Sequence, residues 1–198
     1  MRDISRQYEQ LFEDFGRALF LEIETLTDPS EVMNRCTQRI DEALAAFESH
    51  FPDPSQTACK KGCHFCCFFP VDCPPQVCHD VASHMDKTFS RAMKAKLKKK
   101  LQEDSQLRKE PFNRAPCPFL SDNRRCMIYE KRPLACRWFT STDPALCEAS
   151  LTDGTHVPQH AVRQRLYQVA TTMLLALEKQ QGRDGKQVAF ISSLLKLL

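Results

Sequence analysis

Glycine is scarce in this sequence, with only 5 among 198 residues, and neither a G-x-G-x-x-G segment nor a P-loop occurs. The two common glycine-rich phosphate-binding motifs are therefore excluded. No stretch approaches the roughly 20 apolar residues of a membrane span. The formal net charge of +3 is too small to indicate a nucleic-acid or membrane partner by itself. The chemistry of this chain must come from other residue types.

The first residues of the sequence also do not have the pattern of a secretory signal peptide. The first fifteen residues, MRDISRQYEQLFEDF, distribute charges throughout and have neither an apolar core nor a small-residue cleavage site. We therefore expect a cytoplasmic protein, in which reducing surroundings keep cysteines as thiols. The odd number of cysteines, 11, also fits poorly with a complete set of disulfides.

Helical patterns dominate both ends of the chain. The first apolar stripe at helical spacing consists of Tyr8, Leu11, Phe12, Phe15 and Leu19. A second helix is predicted to begin at Asp28, an N-cap residue followed by Pro29. We predict a mainly α fold with an irregular, cysteine- and proline-rich metal-binding region. It forms a single domain with a helical pair at 1–56, the cysteine cluster at 57–150, and C-terminal helices at 151–198 that pack on the same core.

The middle region is predicted to contain two helices, the first of which begins near Pro74–Pro75. A break is expected near Lys87–Thr88, because the apolar stripe would otherwise rotate around one continuous helix. Cys78 lies on the apolar face of the first of these helices, as Cys36 does in the N-terminal pair. Both thiols are interpreted as buried core residues rather than as ligands.

Two segments are candidates for a protein partner. The run KAKLKKK, Lys94–Lys100, is either a solvated helix face or a surface for an acidic protein. It has no interleaved aromatic residues for base stacking, so it gives no specific nucleic-acid signal. The segment KQVAFISSLLKLL is predicted to be a short apolar helix that either joins the core or docks a partner.

Residues 111–139 are predicted to be irregular, because their prolines exclude long helices. These prolines are Pro111, Pro116, Pro118 and Pro133. Turn residues at 121–123 predict a small hairpin between two short apolar pieces. Asp143 and Pro144 then predict the start of a short helix with Cys147 in its first turn.

The stretch ACKKGCHFCCFFP holds four cysteines within nine residues. Cys63-x2-Cys66 is a chelating pair, in which two sulfurs can bind one metal. The adjacent Cys66 and Cys67 argue against a simple disulfide, because bridging them would strain the intervening peptide. The spacing from Cys59 onwards also matches the cysteine triplet of radical SAM enzymes. The strand–helix alternation of their barrel is not predicted here, so we set that interpretation aside.

A second set of cysteines follows at intervals in the proline-rich stretch and beyond it: Cys117, Cys126, Cys136 and Cys147. Arg132 and Arg137 flank Cys136. Four thiolates carry more negative charge than a divalent ion neutralises, so these guanidinium groups are candidates for stabilising a bound metal or cluster. The alternative for both arginines is ordinary surface ion pairing.

Together, these segments resemble the YkgJ-type cysteine-cluster family, small bacterial proteins described as zinc- or iron-chelating domains. The resemblance rests on CKKGCHFCC and on CPFLSDNRRCMIYEKRPLACRWF, with Cys147 as a further cysteine, and covers residues 58 to about 147. Flagellin lysine-N-methylases carry a similar cluster. The resemblance implies that eight cysteines are metal ligands: Cys59, Cys63, Cys66, Cys67, Cys117, Cys126, Cys136 and Cys147.

Thiolate ligands suit either tetrahedral zinc or an iron–sulfur cluster. We favour the iron–sulfur cluster, because the triplet spacing and the adjacent arginines suit one. His64 is interpreted as exposed or outside the ligand set. The leading hypothesis is a cytoplasmic metal-binding protein. The alternatives are a cluster-dependent modifying enzyme, such as a relative of protein lysine methyltransferases, and a zinc-stabilised interaction module; no motif decides whether the chain is an enzyme.

Overall fold

The structure, a computed structural model, describes residues 2–52, 57–60, 62–107 and 114–198, without the side chains of residues 2–5, 7 and 8. Within these ranges the fold is mainly α-helical, which confirms the predicted class. The predictions for the Tyr8 side chain and for Pro111 fall outside the described residues. The helices in chain order are α1 (Arg2–Ile23), α2 (Pro29–His50), α3 (Pro75–Thr88), α4 (Arg91–Leu107), α5 (Leu134–Trp138), α6 (Pro144–Thr152), α7 (Ala161–Gln180) and α8 (Phe190–Leu195).

Four shorter elements complete the described chain. Two 3₁₀ helices span Phe65–Phe68 and Tyr129–Lys131. Two strands, β1 (Asp72–Cys73) and β2 (Val188–Ala189), pair antiparallel. This pairing ties the segment after the CKKGCHFCC motif to the start of α8.

Local signals set the N-terminal pair of helices. Asp28 caps α2 as predicted, since its Oδ1 accepts a hydrogen bond from the Ser30 N–H at 3.1 Å. Leu19 and Phe12 of α1 are buried. Leu11 is 65% exposed and does not share that face, because one step along a helix turns a side chain by about 100°.

The predicted break in the middle region is confirmed, because α3 ends at Thr88 and α4 begins at Arg91. Phe89 between them has an extended backbone, with φ −99° and ψ 134°, which ends the helical hydrogen bonding. Cys36 and Cys78 are buried among apolar side chains, so the prediction that they are core thiols is also confirmed.

Helix α7 organises the core by packing against α1, α2 and α5, while α8 packs against α3 and α4. Phe190, Ile191 and Leu194 of α8 are buried, so the C-terminal apolar segment joins the core, the first of the two predicted alternatives. The domain boundaries at residues 56 and 150 remain predictions. In the described part of the chain, no helix has both the length and the apolar character needed to cross a bilayer.

Candidate metal centre

Four segments anchored by the helical frame carry the eight motif cysteines. Cys59 and Cys63 lie in the loop before the first 3₁₀ helix, and that helix contains Cys66 and Cys67. The remaining four are Cys117 and Cys126 around a turn, Cys136 in α5, and Cys147 in α6.

The turn at residues 121–123 forms the predicted small hairpin. Leu120 and Cys126 make an isolated antiparallel bridge, and the Met127 N–H donates to the Phe119 carbonyl oxygen at 2.9 Å. Arg124 adopts the left-handed region with φ 59°, which closes the turn. The hairpin thereby holds Cys126 at a fixed position relative to Cys117.

Main-chain hydrogen bonds join the separate segments. The Cys117 N–H donates to the carbonyl oxygen of Cys67 at 2.7 Å. The Ala58 N–H donates to the carbonyl oxygen of Ser141, also at 2.7 Å, and the Cys59 Sγ lies 3.9 Å from that oxygen. These contacts place the first cysteine motif between the hairpin and the start of α6.

Helix α6, which carries Cys147, begins with an Asp–Pro N-cap like that of α2. The Asp143 Oδ1 accepts a hydrogen bond from the Ala145 N–H at 2.8 Å, and Pro144 occupies the first turn. Cys147, the fourth residue of α6, is buried at the end of this first turn. The predicted helix start and the predicted location of Cys147 are therefore both confirmed.

By their electrostatic interactions the motif thiols fall into two groups that both contact Cys66, and we call Cys66 and its neighbour Cys67 the junction. Electrostatic interactions link Cys63 and Cys147 to Cys59 and to Cys66. A second set of interactions links Cys136 to Cys117, Cys126 and Cys66. The first group is Cys59, Cys63 and Cys147, and the second group is Cys117, Cys126 and Cys136.

Burial and mutual repulsion favour the protonated form of five of these thiols in the absence of a cation. A hydrogen bond with Cys67, followed by burial, raises the pKa of Cys66. Burial raises the pKa of Cys63, Cys126 and Cys147, and that of Cys136 even further. A bound metal cation reverses this balance, because it stabilises the thiolate form and displaces the protons.

Arg132 brings a positive charge close enough to the thiols to act on three of them. It lowers the pKa of Cys66, Cys126 and Cys136, against the larger effects of hydrogen bonding and burial. Its Nε is buried, and among the described residues it has no hydrogen-bond partner. The guanidinium carbon lies 4.1 Å from the centre of the Tyr129 ring. A buried N–H donor without a partner beside a set of thiols suits a bound metal–thiolate group.

Arg137 donates hydrogen bonds to the backbone that precedes α5. Its Nε donates to the Arg132 carbonyl oxygen at 3.3 Å, and its Nη2 donates to the carbonyl oxygen of Glu130. These bonds hold the backbone that carries Arg132. The direct contact of Arg137 with a bound group remains a prediction.

The cysteine sulfur atoms of the motif are suitable ligands for a thiophilic metal, but they do not converge on a single coordination site. Within the described ranges, no group of three or more His, Cys, Asp or Glu side chains could hold a metal ion as it stands. The thiols are nevertheless close enough to influence one another's pKa. Because they do not converge as they stand, binding a metal ion requires their side chains to rotate towards a common point. All eleven cysteines are described, and none of them forms a disulfide.

A second thiol pair, Cys73 and Cys78, lies outside the motif. Their sulfur atoms are 3.7 Å apart, and both residues are buried. The hydrogen bond between them raises the pKa of Cys73 and lowers that of Cys78. The sequence argument treated Cys78 as an isolated core thiol and missed this pair, although the segment CPPQVC, with its helix start, was the available signal.

Two further predictions concern surface residues. His64 is half-buried and stacks on Phe65, with ring centres 5.1 Å apart, and its Nδ1 lies 3.3 Å from the Gly62 carbonyl oxygen. On the lysine run, Lys94 pairs with Asp86 at 2.8 Å, while Leu97 is buried in the core. A protein partner for this helix remains a prediction.

The fold and the thiol set together define a helical protein that carries a cysteine-rich metal-chelating domain. A family model, CxxCxxCC, described as "Putative zinc- or iron-chelating domain", matches residues 58–164. Since this is more than half of the chain, the protein belongs to that family, and the cysteine-cluster resemblance is confirmed. No curated protein and no solved structure was found to match the chain.

The first two cysteines of the motif, Cys59 and Cys63, are separated by three residues. Gly62 in this interval has φ 92°, a left-handed conformation that glycine adopts without strain. A turn immediately before Cys63 therefore accommodates this spacing.

Proposed function

We propose that this protein binds metal through its eight motif cysteines as two sites of four thiolates each. The supporting observation is the division of the thiols into two groups of three, with two further thiols at the junction between them. Three thiolates from one group and one from the junction make four ligands, the number that a tetrahedral zinc site and a four-iron cluster both require. Each group would take one junction cysteine.

An iron–sulfur cluster is the preferred occupant, with zinc as the alternative. The partnerless Nε–H of Arg132 supports this preference, because hydrogen bonds to sulfur are among the features that tune such clusters. Its guanidinium also offsets part of the negative charge of four thiolates. A cluster would supply one-electron redox chemistry, whereas zinc would supply structural stability alone in a closed four-thiolate site.

We further propose that the protein works in the cytoplasm. None of the eleven cysteines forms a disulfide, which is the state that a reducing compartment maintains. In an oxidising compartment, disulfide formation between cysteines of different segments would compete with metal binding.

The direct test is metal analysis of protein purified without oxygen. Iron with acid-labile sulfide and a broad visible absorption band supports the cluster. Zinc with no visible band supports the zinc alternative. Protein that retains neither iron nor zinc contradicts the proposed function. Cys36→Ala is the control, because Cys36 is buried in the helical core and belongs to neither group.

A further inference from the structure

A cavity of about 480 Å³ lies beside the candidate metal centre. Its lining includes Phe69, which follows the first 3₁₀ helix, Trp138, which ends α5, and Ser150, which belongs to α6. Each of these elements carries a motif cysteine, and the Ser150 Oγ donates to the Cys147 carbonyl oxygen at 2.7 Å. The volume falls within the roughly 300–1,000 Å³ of small-molecule sites.

Three aromatic side chains form one wall of this cavity. The rings of Phe69 and Phe139 have centres 6.0 Å apart, and those of Trp138 and Phe139 have centres 5.9 Å apart. Val157 adds a buried aliphatic surface to the lining. This arrangement offers a flat apolar group an extended surface on which to pack.

Arg114 brings a positive charge to the lining of the cavity. The guanidinium carbon of Arg114 lies 4.1 Å from the centre of the Phe69 ring, and Arg114 lines the cavity. Among the described residues that line it there is no aspartate or glutamate, and no described carboxylate pairs with Arg114. Ala161, from the first turn of α7, contributes to the same lining, where the helix dipole adds partial charge of the same sign.

We propose that this cavity binds a small organic anion with a flat apolar body, represented by an aryl carboxylate. The apolar body packs against the aromatic wall, and the carboxylate accepts hydrogen bonds from the Arg114 guanidinium, which suits a planar anion. This site goes beyond metal chelation. Its aromatic wall and its charge are present whether or not the neighbouring thiols hold a metal.

Trp138 makes the proposal directly measurable, because it is the only tryptophan in the chain. Its emission, excited at the red edge of its absorption, reports a ligand that packs in the cavity. The probes are phenylacetate, phenylacetamide and phenethylammonium, which share an aromatic ring and differ in charge. We expect phenylacetate to bind about tenfold more tightly than phenylacetamide, and phenethylammonium to bind most weakly.

Substitutions separate the contribution of charge from that of the aromatic wall. Arg114→Ala should remove the preference for phenylacetate over phenylacetamide, and Arg114→Lys should retain part of it. Arg91→Ala, at an exposed arginine at the start of α4, should leave both affinities unchanged. Trp138→Ala should weaken the binding of acid and amide alike, as measured by calorimetry.

Equal affinity for the acid and the amide would overturn the proposal, as would a preference that survives in Arg114→Ala. Failure of all three probes to saturate the emission change would also overturn it. Bound metal is measured separately by elemental analysis of the same samples. A protein that retains metal but binds no probe therefore contradicts only this inference, and one that binds phenylacetate without retaining metal contradicts only the metal proposal.

Discussion

Removing one cysteine from each group should empty one half of the metal centre at a time. Cys63 belongs to the first group and Cys126 to the second. We expect Cys63→Ala and Cys126→Ala each to lose about half of the bound metal, and the double variant to lose nearly all of it. Alanine has no atom that can coordinate the metal, so the vacancy cannot be refilled by the substituted side chain.

The magnitude follows from the number of ligands. A four-thiolate zinc site contributes about 10–16 kcal/mol of binding free energy near neutral pH. One ligand in four therefore corresponds to about 3 kcal/mol, which is a loss of affinity of about a hundredfold. A chelator whose affinity lies between those of the intact and damaged sites then strips only the damaged one.

The assay is elemental analysis after equilibration with such a chelator under anaerobic conditions. Circular dichroism checks that each variant keeps its helices, and Cys36→Ala controls for the loss of a thiol remote from both groups. If either single variant lost all of its metal while remaining folded, the eight thiols would form one site and the two-group reasoning would be refuted. If neither lost any, these cysteines would not be ligands.

Three other predictions follow from single contacts. Arg132→Ala should weaken metal retention against a chelator at least about tenfold, because it removes the partnerless donor and a positive charge that acts on the thiols; the same affinity in both proteins would contradict this role. Asp143→Ala and Asp28→Ala each remove an Asp–Pro helix cap and should cost about 1 kcal/mol of unfolding free energy. Chelator competition should show weaker metal retention only in Asp143→Ala, because α6 carries Cys147 and α2 carries no motif cysteine. Asp143→Asn, which can still cap the helix, should retain metal as well as the unsubstituted protein. Equal retention in Asp143→Ala and Asp28→Ala would show that the α6 cap does not position a ligand. Burial, with a smaller contribution from the charge of Glu22, raises the pKa of Cys36 from 9.0 to about 12. The contribution of the buried Cys36 thiol to the free energy of unfolding is therefore fully present below pH 9. It is lost as the pH rises towards 12, by about 1.4 kcal/mol per pH unit relative to Cys36→Ala, because only the unfolded state releases this proton. Denaturant titrations at several pH values measure this difference, and parallel curves for the two proteins would contradict it.

The features predicted most successfully were those encoded by neighbouring residues. Asp28 and Asp143 signal helix starts because a cap needs only a side chain and an N–H two or three residues later. The break between α3 and α4 could be predicted from the rotation of a stripe along one helix. Leu11 shows the limit of this reasoning, since an apolar residue at the margin of a stripe can face solvent.

Contacts between distant segments were not predictable in the same way. Nothing local to Cys147 indicates that it lies near Cys59, because that contact depends on how α6 sits against the first 3₁₀ helix. The pairing of β1 with β2 involves only two residues on each side, too few to show an alternating pattern. The motif predicted which cysteines act together, and the tertiary structure was needed to divide them into groups.

The hydrogen bond that joins Ala58 to Ser141 has a consequence for the order in which the protein folds. The neighbouring contact of Cys59 with the same carbonyl oxygen spans 82 positions in the chain. Closing so long a loop costs entropy that local helices and the 121–123 hairpin do not incur, so these elements form first. During synthesis, the CKKGCHFCC segment emerges well before α6, the helix that carries the last thiol of the first group. The first group therefore cannot assemble until α6 has emerged, whereas the second group, completed by Cys136, is available earlier.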